Sequence, residues 1–285
     1  HGYALQRLCR ALAVSSSGYY AWWRRPISAR EMANRALVER IKEVQIKAHR
    51  TYGSPRVYAE LRAQGESCSR NRVARLMRQH RLQAERTKGM KRTTRARKAG
   101  QAAPNLLGGK FDAPGPNRIW LSDITYIATG EGWLYLAAVV DLYTRRVVGW
   151  AMGQRMTAGL AWSALHMALA QERPTASLVH HSDRGSQYTD AAYRAELAAH
   201  TIDCSLSAAG NCYDNAPMES FFATLKGELV DHQQYRTRAE ARTDIFSYIA
   251  GFYNRHRRHS SLGYLSPDEY ERAYYQRQEG LFSCP

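Results

Sequence analysis

The chain has 285 residues, 44% hydrophobic and 23% charged, with a formal net charge of +16. It is long enough for more than one folded unit, and it holds no run of about 18 uncharged apolar residues, so no membrane span is expected. Its cysteines, Cys9, Cys68, Cys204, Cys212 and Cys284, are odd in number and form no CxxC pair, which argues against a disulfide framework or a structural zinc site and for reduced thiols.

The charge is unevenly placed. Residues 1–98 hold 24 Lys or Arg and 6 Asp or Glu, whereas residues 99–285 hold 17 and 19. So local an excess points to a polyanionic partner, with nucleic acid first. A membrane surface fits less well, because no basic amphipathic segment carries bulky apolar anchors.

In chain order, "LQRLCRALAVSSSGYYAWWRR" has helical periodicity to Leu12, breaks at Ser15–Gly18 and resumes with aromatics. It reads as a small helix-turn-helix-like unit in which Trp22 and Trp23 are placed in the core rather than on DNA. Residues 29–49 predict one long polar helix, a packing helix or an assembly arm, with Leu37, Ile41, Val44 and Ala48 along it. In the stretch that follows, Pro55 opens a helix, Gly65 ends it, and Ser69 caps a second one backed by Val73, Leu76 and Met77. The second helix would present Arg70, Arg72, Arg75 and Arg78, a thin apolar back behind long cationic donors, as a recognition helix requires. Phosphate contact is the firmer expectation, ahead of base reading. Residues 85–104 are strongly basic and poor in apolar side chains, and Arg92 and Arg95 there are expected to track a phosphate backbone.

From about residue 105 the pattern changes. "NRIWLSDITYI" alternates, with Leu121, Asp123, Thr125 and Ile127 on one face and Trp120, Ser122, Ile124 and Tyr126 on the other. Two apolar strands follow around a turn at Tyr143–Arg146, then a helix over 158–171, a short buried strand "ASLVHHSD", a helix over 190–200, the strand "IDCSLS", a helix over 217–230 and a last one over 238–254. Strands that first meander and then alternate with helices predict an α/β fold, a mixed sheet with helices on both faces.

Three carboxylates stand out. Asp123 lies inside an apolar strand, where an unpaired charge is costly and needs a partner or a cation. Asp183 directly follows a buried strand, where ligand sites of such sheets gather. Glu219 flanks the apolar stripe of the helix over 217–230, with Ala223 leaving room and Lys226 able to meet a phosphate. Oxygen donors of this kind suit Mg²⁺ or Mn²⁺, and two such ions could serve phosphodiester chemistry. The bland alternatives are a turn aspartate at Asp123 and an ordinary N-terminal helix acid at Glu219. Rival acids are Asp141, read as closing a strand into its turn, Asp214, read as a helix cap, and Glu228. Of His180 and His181, one is expected to pack or hydrogen-bond beneath the site and the other to face DNA. Arg184 and Gln187 read as substrate contacts and Gly185 as a turn. No GxxxxGK[ST] phosphate loop occurs, which argues against ATP use.

Together "WLSDITYI", "GWLYLAAVVDLYTRRVVGWAM", "HHSDRGSQYTD", "GNCYDNAPMESFFATLKGEL" and "NRHRRHSSLGYLSP" closely resemble bacterial insertion-sequence transposases whose catalytic frame is the second of two joined by frameshifting. "VSSSGYYAWWRR" and "YGSPRVYAELRAQG" extend the resemblance over nearly the whole chain. It implies a DDE recombinase with a ribonuclease-H-like core similar to retroviral integrases, a mixed five-stranded sheet flanked by helices. Asp123, Asp183 and Glu219 fall on its catalytic, metal-holding acids, with 35 residues between the last two. Lys226 falls on its conserved lysine, and Asn254, Arg257 and His259 on residues that support the site or contact the element end.

The implied organisation is a helical DNA-binding region over 1–84, a basic linker over 85–104, a catalytic core over 105–270 and a tail over 271–285. The implied activity is metal-dependent cutting and joining at terminal inverted repeats, by attack of water or a 3′ hydroxyl and without a covalent enzyme–DNA intermediate, often through a circular intermediate. Implied partners are the element ends and target DNA as duplex, further copies of the chain and the upstream-frame protein, in the cytoplasm near the nucleoid. The chain departs from the family pattern at Ala208–Ala209, where a basic residue is usual, and opens at His1 without the partner frame's zipper. The alternatives are a nuclease without joining activity and an inactive end-binding protein.

Overall fold

The computed structural model describes residues 5–85, 103–174, 177–208 and 212–282, the side chains of residues 212–213 and 280–282 excepted. The N-terminal region is helical: α1 (Leu5–Ala11), α2 (Ser16–Trp23), α3 (Ala29–Lys47), α4 (Ser54–Ala63) and α5 (Arg70–Gln79). Ser15, Ser28 and Ser69 each accept a hydrogen bond from a backbone N–H in the turn they open, which satisfies a donor that has no partner inside the helix. Pro55 occupies the first turn of α4, where its missing N–H costs nothing. Leu37, Ile41 and Val44 of α3, Val57 and Leu61 of α4, and Val73, Leu76 and Met77 of α5 form one core. Of the two roles open to α3, the structure gives it the packing role.

Trp22 and Trp23 correct the sequence reading. Each is 67% exposed, and α2 buries none of its residues. Neighbouring helix positions point about 100° apart, so a helix of two turns cannot bury both indoles on one contact face.

The second region is built on β1 (Ile119–Thr129), β2 (Gly132–Asp141), β3 (Val147–Gly153), β4 (Leu178–Ser182) and β5 (Ile202–Leu206), in the spatial order β3-β2-β1-β4-β5. The first three strands are antiparallel neighbours, and β1–β4 and β4–β5 are parallel. Parallel neighbours need crossovers. These are supplied by α6 (Ala158–Glu172) and by α7 (Ser186–Thr189) with α8 (Ala191–Ala199). This is the expected ribonuclease-H-like arrangement.

Period-two alternation splits the sheet's side chains between two cores. Leu121 and Ile127 join Met218, Phe222 and Leu225 of α9 (Ala216–Glu228) on one face. Trp120 and Ile124 join Ala164 and Leu165 of α6 on the other. At the α6 crossing Gly149 is required for contact, since a Cβ there would stand 2.2 Å from the Ala164 carbonyl oxygen.

After α9 come α10 (Arg238–Phe246), a π-helical stretch over Ser247–Tyr253 and α11 (Pro267–Phe282). The helix expected over 238–254 is therefore one continuous rod with a widened last part, which buries Tyr248, Ile249 and Tyr253. The expected boundary at 270/271 falls inside α11. No described helix is long and apolar enough to cross a membrane.

Candidate active site

The parallel pairing of β1 with β4 ends at Ser122 opposite Ser182. The next residue along the chain after each is an aspartate, so Asp123 on β1 and Asp183 just past β4 both lie where the ladder stops, on segments that leave it about 4.8 Å apart. Asp123 remains paired on its other side with Ala138 of β2, and so belongs to the face that α9 covers. Asp123 Oδ1 accepts from the Ile124 N–H at 2.7 Å, and Asp183 Oδ1 accepts from the Gly185 N–H at 2.9 Å. Gly185 leaves room for this turn: a Cβ would lie 2.9 Å from Asp183 Oδ1 and 2.8 Å from Gln187 Oε1.

Burial, then the neighbouring Asp183 charge, then Glu219, push the Asp123 carboxyl up to about 8, against the Ile124 N–H and the Lys226 ammonium. Burial also raises Asp183. Carboxylates so placed repel one another and want a cation. Glu219 is half-buried in the first turn of α9, where the helix dipole favours a negative charge. Among the described residues no three His, Cys, Asp or Glu side chains are gathered closely enough to hold a metal ion. The structure thus sets Asp123 and Asp183 next to one another and brings Glu219 near enough to be felt electrostatically. The side chains are of the chemical kind that hard divalent cations take, carboxylate oxygens with one aspartate raised.

The floor of the site is polar and buried. His180 Nε2 meets Ser122 Oγ at 2.7 Å and Tyr193 Oη at 3.0 Å, and burial, with His181 adding to it, pushes His180 down to about 3, so it is neutral. His181 Nδ1 meets Ser205 Oγ at 2.8 Å. Both histidines are fully buried, so neither faces DNA. Asn215, at the start of α9, donates to the Ser122 carbonyl oxygen at 3.3 Å, which ties the Glu219 helix to β1 beside Asp123. Sequence reasoning missed Ser122 and Tyr193, and read Asn215 only as sitting with Asp214 in the loop that caps the helix. Only the adjacency of Asn215 to Asp214 before a proline-started helix hinted at its role.

Among the rival acids, Asp141 does close its strand, accepting from the N–H and hydroxyl of Thr144, each at 2.7 Å, and from the Asn117 N–H at 2.8 Å. Asp214 accepts from Asn105 Nδ2 and the Ala208 N–H, so it braces the loop after β5 instead of capping α9.

The expected DNA contacts divide. Arg70, Arg75 and Arg78 are exposed on α5, whereas Arg72 is half-buried and donates to Asn34 Oδ1 at 3.0 Å. Arg184 donates to the Ser207 carbonyl oxygen at 2.7 Å, Gln187 is half-buried, and Lys226 lies 5.0 Å from the centroid of the Tyr126 ring. Arg92 and Arg95 lie outside the described residues. Of Asn254, Arg257 and His259, expected to support the site or contact the element end, the first two are buried and His259 is half-buried. Asn254 brackets Val147, accepting from its N–H and donating to its carbonyl oxygen, each at 3.0 Å. Arg257 is buried against Glu228. Burial, then Arg257, push His259 down to about 2, and its ring packs edge-on against Tyr253.

Comparison with known proteins shows the family of the chain. Residues 113–212 and 200–267 match two families described as integrase core domain, and residues 32–89 match the HTH-like domain. The chain is 45% identical over 269 residues to the insertion element IS600 uncharacterized 31 kDa protein of Shigella sonnei, covering 94% of this chain and 99% of that one. It is 41% identical over 271 residues to the transposase InsF for insertion sequence IS3A of Escherichia coli (strain K12), covering 94% of each. Among solved structures it is similar to the HTLV-2 integrase catalytic core domain in complex with magnesium, at 15% identity over 56% of this chain and 99% of that one, with a TM-score of 0.44. With an acid-bearing five-stranded sheet, a helical region ahead of it and relatives matched nearly end to end, the chain belongs to the IS3 family of insertion-sequence transposases, enzymes of the DDE transposase and integrase superfamily.

Proposed function

We propose that the chain cuts and joins DNA at the ends of an insertion sequence, and that Asp123, Asp183 and Glu219 are the acids that do it. DDE-type nuclease and strand-transfer activity is typical of the family. The observation that carries the residue assignment is the pair of aspartates at the end of the β1–β4 ladder, with Asp123 raised to about 8 by burial, Asp183 and Glu219. A carboxyl held in that state is poorly satisfied by the protein alone and gains from a divalent cation.

Asp123, Asp183 and Glu219 would hold Mg²⁺ or Mn²⁺, two ions per site. When bound, such ions make a water or 3′ hydroxyl a better nucleophile and stabilise the leaving oxygen. The chain's own groups do the rest. The hydrogen bonds from Ile124 and Gly185 orient the two aspartates, and Asn215 holds the α9 start against β1. Arg184, Gln187 and Lys226 border this site and supply cationic or polar contacts to the phosphodiester, while α5 offers Arg70, Arg75 and Arg78 to the flanking duplex. Acting on paired ends calls for at least two copies of the chain, and a DNA substrate places the protein with the chromosome.

The test is to incubate purified protein with labelled element-end duplex and Mg²⁺. Products longer than the substrate are expected. Shorter products alone would reduce the reading to a nuclease, and tight binding without cleavage would reduce it to an end-binding protein.

A further inference from the structure

We propose that the α1–α2 hairpin binds unpaired DNA, with bases stacking on Trp22 and Trp23 and the neighbouring arginines holding the phosphates. The proposal rests on the reading above in taking DNA as the substrate, and adds a second surface with a different preference. Among the described residues from 5 to 30, only Cys9 is buried. Leu12 is 73% exposed, and Trp22 and Trp23 are 67% exposed each. Two indoles left this open on a two-turn helix offer flat apolar faces on two sides of it.

The charges around it choose the partner. Arg7, Arg10, Arg24, Arg25 and Arg30 are all exposed, and no Asp or Glu occurs between residues 5 and 30. A second copy docked through the same face would bring these arginines against their own images, and like charges set across an interface cost several kcal/mol. A duplex would satisfy the arginines but keeps its base faces inside the stack, leaving the indoles without partners. An unpaired strand offers both phosphates and open base faces, the combination that single-strand-binding surfaces use.

The local geometry is already aromatic and cationic. Tyr19 meets Tyr20 edge-on at 5.6 Å and Trp22 at 6.1 Å, and the Arg24 guanidinium lies 6.0 Å from the Tyr20 ring centre. These contacts prop the end of α2 that carries Trp22 and Trp23. The adjoining Ser28 cap starts α3, which belongs to the α3–α5 core, so a strand held here would lie at the edge of the unit that carries Arg75 and Arg78.

The experiment compares the full chain with the double variant Trp22→Ala, Trp23→Ala. Binding is measured by fluorescence anisotropy, without divalent ions, to a labelled oligothymidylate and to a duplex of equal length. The variant should bind the single strand at least about tenfold more weakly and the duplex within about twofold of the parent. Because both side chains are exposed, its melting temperature should be unchanged. Unchanged single-strand affinity, or an equal loss on both DNAs, overturns the proposal. So does a parent that sediments as a dimer and a variant that sediments as a monomer with single-strand affinity intact, which would make the face a self-association surface. Preferential binding of the parent to phosphatidylserine vesicles with no affinity for the single strand would assign the face to membranes instead. Cleavage of element-end duplex is scored separately with Mg²⁺ present, so failure of the strand-binding surface and failure of the transposase reading are told apart.

Discussion

The α9 helix touches two buried acidic centres, one near each end, and they are built on opposite principles. Near its C-terminus Glu228 is fully compensated. Arg257 donates to both carboxylate oxygens at 2.9 and 2.7 Å, Tyr248 donates its hydroxyl at 2.7 Å, and Arg56 of α4 stands 3.6 Å away. Burial would lower the Arg257 pKa, but the charge of Glu228, its hydrogen bond and the nearby Tyr248 and Tyr253 together outweigh it and hold the guanidinium charged. Near the N-terminus Asp123 and Asp183 each accept from a backbone N–H, and burial, then the Asp183 charge, shift Asp123 toward its neutral form. The lesson is that burial of an acid does not define a site. A carboxylate whose cation comes from the chain is structural, and one whose nearest charges are of its own sign is a candidate for binding a cation from outside. The compensated centre also joins the two regions of the molecule, since Arg56 belongs to the helical unit. Beside it Arg258 bonds Glu60 of α4 at 2.7 Å, and its backbone N–H reaches the Tyr52 hydroxyl at 2.7 Å.

The sharpest way to break the comparison is at the uncompensated pair. Asp123→Asn should lower strand joining about a thousandfold, equivalent to about 4 kcal/mol of transition-state stabilisation, while end-DNA binding persists in a gel-shift assay. Retention of near-parental activity would remove Asp123 from the site. At the compensated centre, Glu228→Ala should instead cost about 3–5 kcal/mol of stability by urea unfolding, because Arg257 is left buried without its counter-charge. The double variant Glu228→Leu, Arg257→Met should regain most of that loss. If it does not, the pair contributes more than charge compensation.

A smaller effect is expected at Gly185. Gly185→Ala sets a methyl against Asp183 Oδ1 and should reduce activity about 10–100-fold by turning the carboxylate, with the melting temperature nearly unchanged.

The sign of the pH effect follows from the direction of the shift. Asp123 has a folded pKa near 8, above its unfolded value, so the folded state binds the extra proton. Its stabilisation is complete below about pH 4 and is lost as pH rises toward 8. The melting temperature of metal-free protein should therefore fall over that range, the Asp123→Asn protein should show a flatter profile, and Mg²⁺ should restore the parent but not the variant at pH 8. The smallest effect is at Lys226, which lowers the Asp123 pKa. Lys226→Met should move the midpoint of that profile upward by less than about one pH unit.

Much of the molecule was legible along the chain because the signals are local. Ser28 and Ser69 with the residues they cap, Pro55 and the alternation around Asp123 each specify an element from its own residues. Asp123 stood out for a related reason, since a carboxylate inside an apolar strand is anomalous wherever the strand ends up. The buried partners of Arg257 and Asn254 were not legible, because a basic or amide residue looks the same in sequence whether it meets a phosphate or a buried partner 29 or 107 residues away. Trp22 and Trp23 were misplaced for the converse reason, as large aromatics are usually covered and only the packing reveals that these are not.

By itself the sequence determined the split of charge, the order of strands and helices, and the identity of three candidate acids. The tertiary structure alone decided that β4 lies beside β1 in the register that sets Asp183 against Asp123, that Glu228 and not Glu219 receives an arginine, and that α2 is left open. Each of these depends on which distant segments meet. Strand register and burial are properties of pairs of segments, whereas hydrophobic period and capping belong to one segment at a time.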